Sequence, residues 1–196
     1  MRGPRRHTVL SFWIDLLSCF VLPVYTLRFA GNSPWFDSNF SVLAAVGIHA
    51  YRSFFRWGLL SAVSYLLILG GISRTLHRTW QQMLLCTLVL LGCGALVWSL
   101  IIPYLPREFP KYADLHVLLA FAACVFLMAA ILAALLCCRQ ENPFAFRSLL
   151  LGWWAIIAVS GMLFLHAGII STALEVFFTL STLFLTRRLF GLRQPT

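Results

Sequence analysis

The sequence predicts an all-α, polytopic membrane protein, a bundle of six transmembrane helices with a long first outer loop. Composition is the first reason. Of 196 residues, 61% are hydrophobic and 11% charged, where a soluble domain carries about 25% charged residues. Segregation is the second. Runs of roughly twenty apolar residues almost lack charge, and about 30 Å of hydrocarbon needs that many helical residues at about 1.5 Å each. The third is that the arginines fall in short segments between those runs, the pattern that membrane orientation requires. Residues 1–196 therefore form one bundle with no separate soluble domain.

The first span is expected from Val9 to Leu27. The preceding M-R-G-P-R-R-H imitates a signal peptide, but the apolar run is too long, contains Asp15 and lacks a small-x-small cleavage site, so it reads as a retained helix. Pro23 should kink its far end. Asp15 should face the bundle, because a carboxylate at depth in lipid is costly. A loop, 28–54, follows. Its core, Asn32 to Arg56, is too polar for a lipid-embedded helix and too apolar for a solvated linker. It should fold over the outer end of the bundle and cap a polar site. Within it, Phe40 to Tyr51 suits a short interfacial helix with Ser38 or Asn39 as N-cap. Trp35, Tyr51 and Trp57 suit the headgroup level.

The remaining spans are expected at Phe55–Ile72, Met83–Tyr104, Leu115–Leu136, Leu149–Leu165 and Ile169–Phe190. Gly70-Gly71 and Gly92/Gly94 should let helices approach closely. A tight turn near Ala167-Gly168 should join the last two spans.

Six spans put both termini on one side. That side carries Arg2, Arg5, Arg6, Arg74, Arg78, Arg139, Arg147, Arg187, Arg188 and Arg193. The other carries Arg28, Arg52, Arg56, Arg107 and Lys111. The excess predicts both termini in the cytoplasm and a plasma-membrane location. The net charge of +9 is accounted for by this bias, which excludes a nucleic-acid partner. Membrane lipids are the expected partners, and nothing in the chain names a protein partner. The six cysteines lie in or beside apolar spans without metal-type spacing. They read as inert thiols, with Cys137-Cys138 as an acylation option.

On this topology the polar residues near the spans gather in the outer half, apart from Asp15. Asp37, Ser41 and His49 belong to the first outer loop. Asp114 and His116 open the fourth span, His166 closes the fifth, and Glu175 lies just inside the sixth. Each has a plain structural alternative. Asp37 suits a turn, His49 an interfacial side chain with a wet tip, His166 a solvated turn, and Asp114 a cap or a partner for Lys111 or Arg107. His116 and Glu175 are harder to dismiss, because both sit inside apolar helices. Arg52 and Arg56, four apart, share a helix face and could hold lipid phosphates or simply snorkel.

The motifs N-F-S-V-L-A (Asn39–Ala44), R-S-F-F-R-W-G (Arg52–Gly58), L-H (Leu115-His116) and L-E-V-F-F (Leu174–Phe178) carry a resemblance. The chain resembles the bacterial six-helix membrane proteins of unknown function related to the FGF-receptor-activating-protein and DRAM-like superfamily. The resemblance spans nearly the whole chain. It implies a six-helix bundle with a patterned first outer loop, a bacterial cytoplasmic membrane, and roles in lipid organisation or lipid-anchor remodelling. Of the site residues, it carries over only Ser41, His116 and Glu175. The eukaryotic members have I-S-D-x-G in the outer loop, whereas Val42-Leu43-Ala44 follow Ser41 here.

Three functions fit these residues. The first is binding or handling a lipid or amphiphile in an outward polar pocket, with no cofactor. The second is a metal-dependent intramembrane hydrolase of a lipid amide or ester. In it His116, His166 and a carboxylate from Asp37, Asp114 or Glu175 would hold zinc, with Ser41 or Glu175 assisting proton transfer. The third is a b-type haem protein with His116 and His166 as axial ligands; the second pair that a transmembrane electron path needs is wanting, because His7 and His77 near the inner face read as loop residues. A carrier using Asp15 and Glu175 would need more buried polar groups than the spans contain.

Overall fold

The computed structural model describes residues 9–31, 33–139 and 143–193. Arg2, Arg5, Arg6, His7 and Asn32 lie outside the described residues, as does the side chain of Cys138. Among the described residues every regular element is a helix.

The first helix runs as α1 (Val9–Leu16), a π-helical turn (Leu17–Val21) and α2 (Leu22–Ala30). Pro23 explains the interruption. It offers no N–H to the carbonyl four residues back, and its ring crowds that turn. The backbone widens just before it, so that the Leu22 N–H reaches the Leu17 carbonyl, five residues away. The expected kink is thus a wide turn one step ahead of the proline.

The loop region is more helical than its polarity suggests. Helix α3 (Phe40–Ala45) and helix α4 (Ile48–Ser73) occupy most of it. The single interfacial helix expected over Phe40 to Tyr51 is split, with Gly47 standing at the start of α4 in extended backbone. Span two begins at Ile48 rather than Phe55. His49 and Arg52 belong to the added N-terminal turns, because hydrogen bonding and capping fix a helix end, not the thickness of hydrocarbon. The irregular segment shrinks to the stretch between Ala30 and Phe40.

Helices α5 (Thr79–Ile101), α6 (Pro110–Cys138), α7 (Pro143–Ala167) and α8 (Thr172–Arg193) follow. Pro110 opens α6 and Pro143 opens α7, the first-turn position where a missing N–H costs nothing. Gly168, at φ 69°, makes the left-handed turn before α8. Helices α4, α6 and α7 extend beyond their expected apolar cores at both ends, whereas α5 begins ahead of Met83 but stops at Ile101, short of Tyr104, because Pro103 ends it, and α8 begins after Ile169 and runs past Phe190.

Five segments are long and apolar enough to cross a membrane: Ser11–Ala30, α4, α5, α6 and α7. The sixth long helix, α8, carries Glu175 toward one end and Arg187-Arg188 toward the other, leaving eleven uncharged residues between them.

Helix α4 lies at the centre and packs on α5, α8, α3, α2 and α6. Half of its apolar stretch is buried, against 17% for α7 on the perimeter. Two glycines allow the close approaches. A Cβ on Gly71 would come within 2.6 Å of the Phe190 ring, and one on Gly92 within 2.9 Å of Leu127. Gly70 and Gly94, their partners in the expected small-residue motifs, face open space. The Tyr65 hydroxyl meets Thr182 Oγ1 at 2.6 Å, tying α4 to α8. Trp57 Nε1–H donates to Thr26 Oγ1 at 3.0 Å, tying α4 to α2.

At the end of the bundle where α1 starts and α8 finishes, Asp15 pairs with Arg187. This satisfies the expectation that Asp15 faces the bundle. Arg193 donates to the carbonyls of Thr75 and Cys137. The cysteines are less uniform than expected: Cys93 is buried, whereas Cys19 and Cys86 are exposed on the perimeter.

Candidate functional site

The site lies at the opposite end, where residues 35–41 cross over the bundle. Phe40 fixes this segment. Its ring is fully buried and packs edge-on against Phe29 at 5.0 Å and Trp57 at 4.8 Å, with Phe54 stacked on Trp57. Such aromatic pairs contribute about 0.5–1.5 kcal/mol each beyond burial.

The backbone around Phe40 is held from two directions. Asn39 caps α3, its Oδ1 accepting the Val42 N–H at 2.8 Å. Of the two expected caps, Asn39 is the one used. Glu175, from α8, accepts the Phe40 N–H at 2.6 Å. The exchange is mutual. The Ser38 carbonyl accepts both the main-chain N–H and the hydroxyl of Thr172, at 2.6 and 3.0 Å, and the Trp35 carbonyl accepts the Ala173 N–H at 2.8 Å. The loop therefore satisfies amide groups in the first turn of α8, and α8 satisfies the first amide of α3.

This anchoring aims Ser41 at α6. The Ser41 hydroxyl stands 2.7 Å from Nε2 of His116. The other ring nitrogen, Nδ1, is 2.8 Å from the Ile102 carbonyl. A carbonyl only accepts, so Nδ1 carries the proton, Nε2 presents its lone pair, and Ser41 donates to it. The Ile102 carbonyl is available for a reason visible in the sequence. Pro103 follows it, forcing Ile102 out of the helical region to φ −84°, ψ 114° and ending α5. Its carbonyl is then turned toward α6 instead of into an i+4 bond. His116 is 2% exposed, in contact with the rings of Tyr104 and Phe54.

A cavity of about 30 Å³ adjoins the pair, lined by Ser41, Tyr51, Phe54, Pro103, Tyr104 and His116 among others. That volume holds a water molecule but not a lipid. A larger, shallow apolar groove of about 490 Å³, broadly open to its surroundings, lies between Trp35 and the α8 residues Ala173, Val176, Phe177, Leu180, Ser181 and Phe184.

No protein-family model, curated protein or solved structure matches the chain.

The loop thus gathers some of the expected residues and leaves others apart. Ser41, His116 and Glu175 come together around Phe40 and Ser41. His166 is exposed and meets the loop only through its ring, edge-on to Phe36 at 5.2 Å. Asp37, His49, Asp114, Arg52 and Arg56 are exposed. Among the described residues, no three His, Cys, Asp or Glu side chains converge to hold a metal. Both nitrogens of His116 are engaged, so in this arrangement it has no lone pair for zinc or haem. Sequence reasoning missed the Ile102, Ser38 and Trp35 carbonyls, since every residue has one. Only the helix-stopping Ile102-Pro103 pair signalled a freed carbonyl.

Proposed function

We propose that this chain is a six-span plasma-membrane protein, both termini cytoplasmic, that holds a membrane phospholipid by its acyl chain in the groove beside α8. The groove carries the reading. It is lined almost wholly by apolar side chains, and from Ala173 to Phe184 it follows α8 for about 16 Å at about 1.5 Å per residue. That is roughly one leaflet of a core about 30 Å thick. Its mouth is Trp35, an aromatic residue suited to the headgroup level.

The membrane reading rests on the five apolar helices and on their outward faces. Phe20, Leu90, Leu118, Phe121, Leu151 and Phe184 are all exposed, a distribution that soluble monomers avoid. Counting α8 as the sixth span is consistent with its ends. Glu175 is bonded to the loop and Arg187 to Asp15, so neither charge faces lipid alone. Arg52 and Arg56, exposed on one face of α4, supply cations for headgroup phosphates. The resemblance to the FGF-receptor-activating-protein and DRAM-like superfamily points toward lipid organisation and a bacterial cytoplasmic membrane. The zinc and haem alternatives find no converging ligand set among the described residues.

Native mass spectrometry of the detergent-purified chain tests the reading. The expected result is about one retained phospholipid per chain, lost when Ala173→Trp and Leu180→Trp fill the groove. Retention unchanged by the fill, or no retained lipid, overturns it.

A further inference from the structure

We propose that Ser41 is a nucleophile activated by His116, and that the pair transfers the acyl group of a phospholipid ester. The proposal rests on the membrane-lipid reading above. It concerns a different part of the loop, so the two can fail separately.

The hydrogen-bond order is the first argument. A serine becomes a useful nucleophile when a base within hydrogen-bond reach can take its proton and a third group fixes that base. Here the Ser41 hydroxyl is 2.7 Å from Nε2, and the Ile102 carbonyl holds Nδ1–H at 2.8 Å. The carbonyl is a positioning group: it sets the tautomer and stabilises the charge that His116 gains. Both residues are held in place. His116 is buried beside the tilted rings of Phe54 and Tyr104, and Ser41 follows the anchored Phe40 directly.

The second argument is the adjoining space. The cavity beside the pair is water-sized, and its walls are aromatic or apolar side chains apart from the pair itself and the phenols of Tyr104 and Tyr51, the latter committed to the Leu100 carbonyl at 2.9 Å. A confined water next to a serine and a base is what the second half of an acyl transfer needs. The third argument is location. The pair lies at the bundle end bearing Trp35 and Tyr51, with exposed Arg52 one residue past Tyr51. Glycerolipid ester carbonyls sit at that boundary between headgroup and chain, and the phosphate lies outward of them.

The step balances with water as the only co-reactant. Ser41 Oγ forms a bond to the ester carbonyl carbon while His116 Nε2 takes its proton. The tetrahedral intermediate collapses, the C–O bond to the glycerol oxygen breaks, and His116 returns the proton to that oxygen. Water, deprotonated by the same nitrogen, then attacks the acyl-Ser41 ester. Fatty acid leaves, and Ser41 regains its proton.

The test uses the full chain in detergent with a dodecyl fluorophosphonate, read by intact mass and peptide mapping. One adduct on Ser41 is expected, absent in Ser41→Ala and formed at least about 100-fold more slowly in His116→Gln, the usual contribution of a general base. No adduct on the wild type, an adduct elsewhere, or an equal rate in His116→Gln overturns the proposal. If Ser41→Ala unfolds, Ser41→Cys replaces it. Its thiol should react with iodoacetamide at least tenfold faster than the same thiol in the Ser41→Cys, His116→Gln double variant, and equal rates overturn the proposal. Lipid retention without an adduct sinks the nucleophile and leaves the groove reading intact. An adduct without retained lipid does the reverse.

Discussion

Glu175 accepts the main-chain N–H of Phe40 at 2.6 Å, across 135 residues of sequence. This bond joins the only acid of the last helix to the most buried aromatic of the outer loop. An oxygen acceptor is needed at that point, whether or not it is charged.

The amide variant therefore separates geometry from charge. Glu175→Gln keeps an oxygen for the Phe40 N–H and should leave the melting temperature within a few degrees of wild type. Glu175→Ala leaves that amide unpaired, at a cost of about 1–3 kcal/mol. Thermal unfolding followed by tryptophan fluorescence in detergent checks both. Equal loss in the two variants would mean that the charge itself is required.

The glycines divide into two classes that the sequence does not distinguish. A Cβ on Gly58 would collide with the buried Leu100 side chain, whereas one on Gly94 would meet nothing within 4 Å. Gly94→Ala should stabilise by up to about 1 kcal/mol through helix propensity. Gly58→Ala should destabilise by about 1–3 kcal/mol through overpacking. The same melting experiment reads the opposite signs.

Asp15 and Arg187 are 31% and 22% exposed. A double-mutant cycle with Asp15→Asn and Arg187→Gln should give a coupling of about 0.2–1 kcal/mol in detergent, shrinking as salt is added. A salt-independent coupling of several kcal/mol would show that the pair is shielded from water in the micelle.

Metal analysis of the purified protein should return zinc and iron well below one equivalent, with no change in His116→Ala. The reason is that Ser41 and the Ile102 carbonyl occupy both ring nitrogens. Near-stoichiometric zinc lost in that variant would mean that Ser41 yields its place to a metal.

The legible part of this chain was what depends on residue type over long windows. The apolar runs foretold the long helices, and Glu175 and His116 stood out as polar groups inside those runs, though the sequence named no partner for either. Helix ends were less legible. Hydropathy marked Phe55 as the start of a span, yet the helix begins at Ile48, because backbone bonding continues through Arg52 and His49 once Gly47 has broken the previous turn. His166 illustrates the opposite error. Its place at a helix end near the others suggested convergence, but only its ring touches the loop. The partners of His116 and Glu175 include main-chain groups, and these leave no trace in composition. Pro103 marks one of them, yet the expected third span ran through it to Tyr104, whereas α5 stops at Ile101.

The loop hydrogen bonds have a consequence for synthesis. Ser38 and Phe40 leave the ribosome more than 130 residues before Thr172 and Glu175, which hold them. Until α8 is made, the Phe40 amide and the Ser38 carbonyl lack these partners, and Ser41 has no fixed aim. The end of the bundle that residues 35–41 cross therefore matures last, although those residues are translated early. A nascent chain halted before α8 would display an open, unlatched loop.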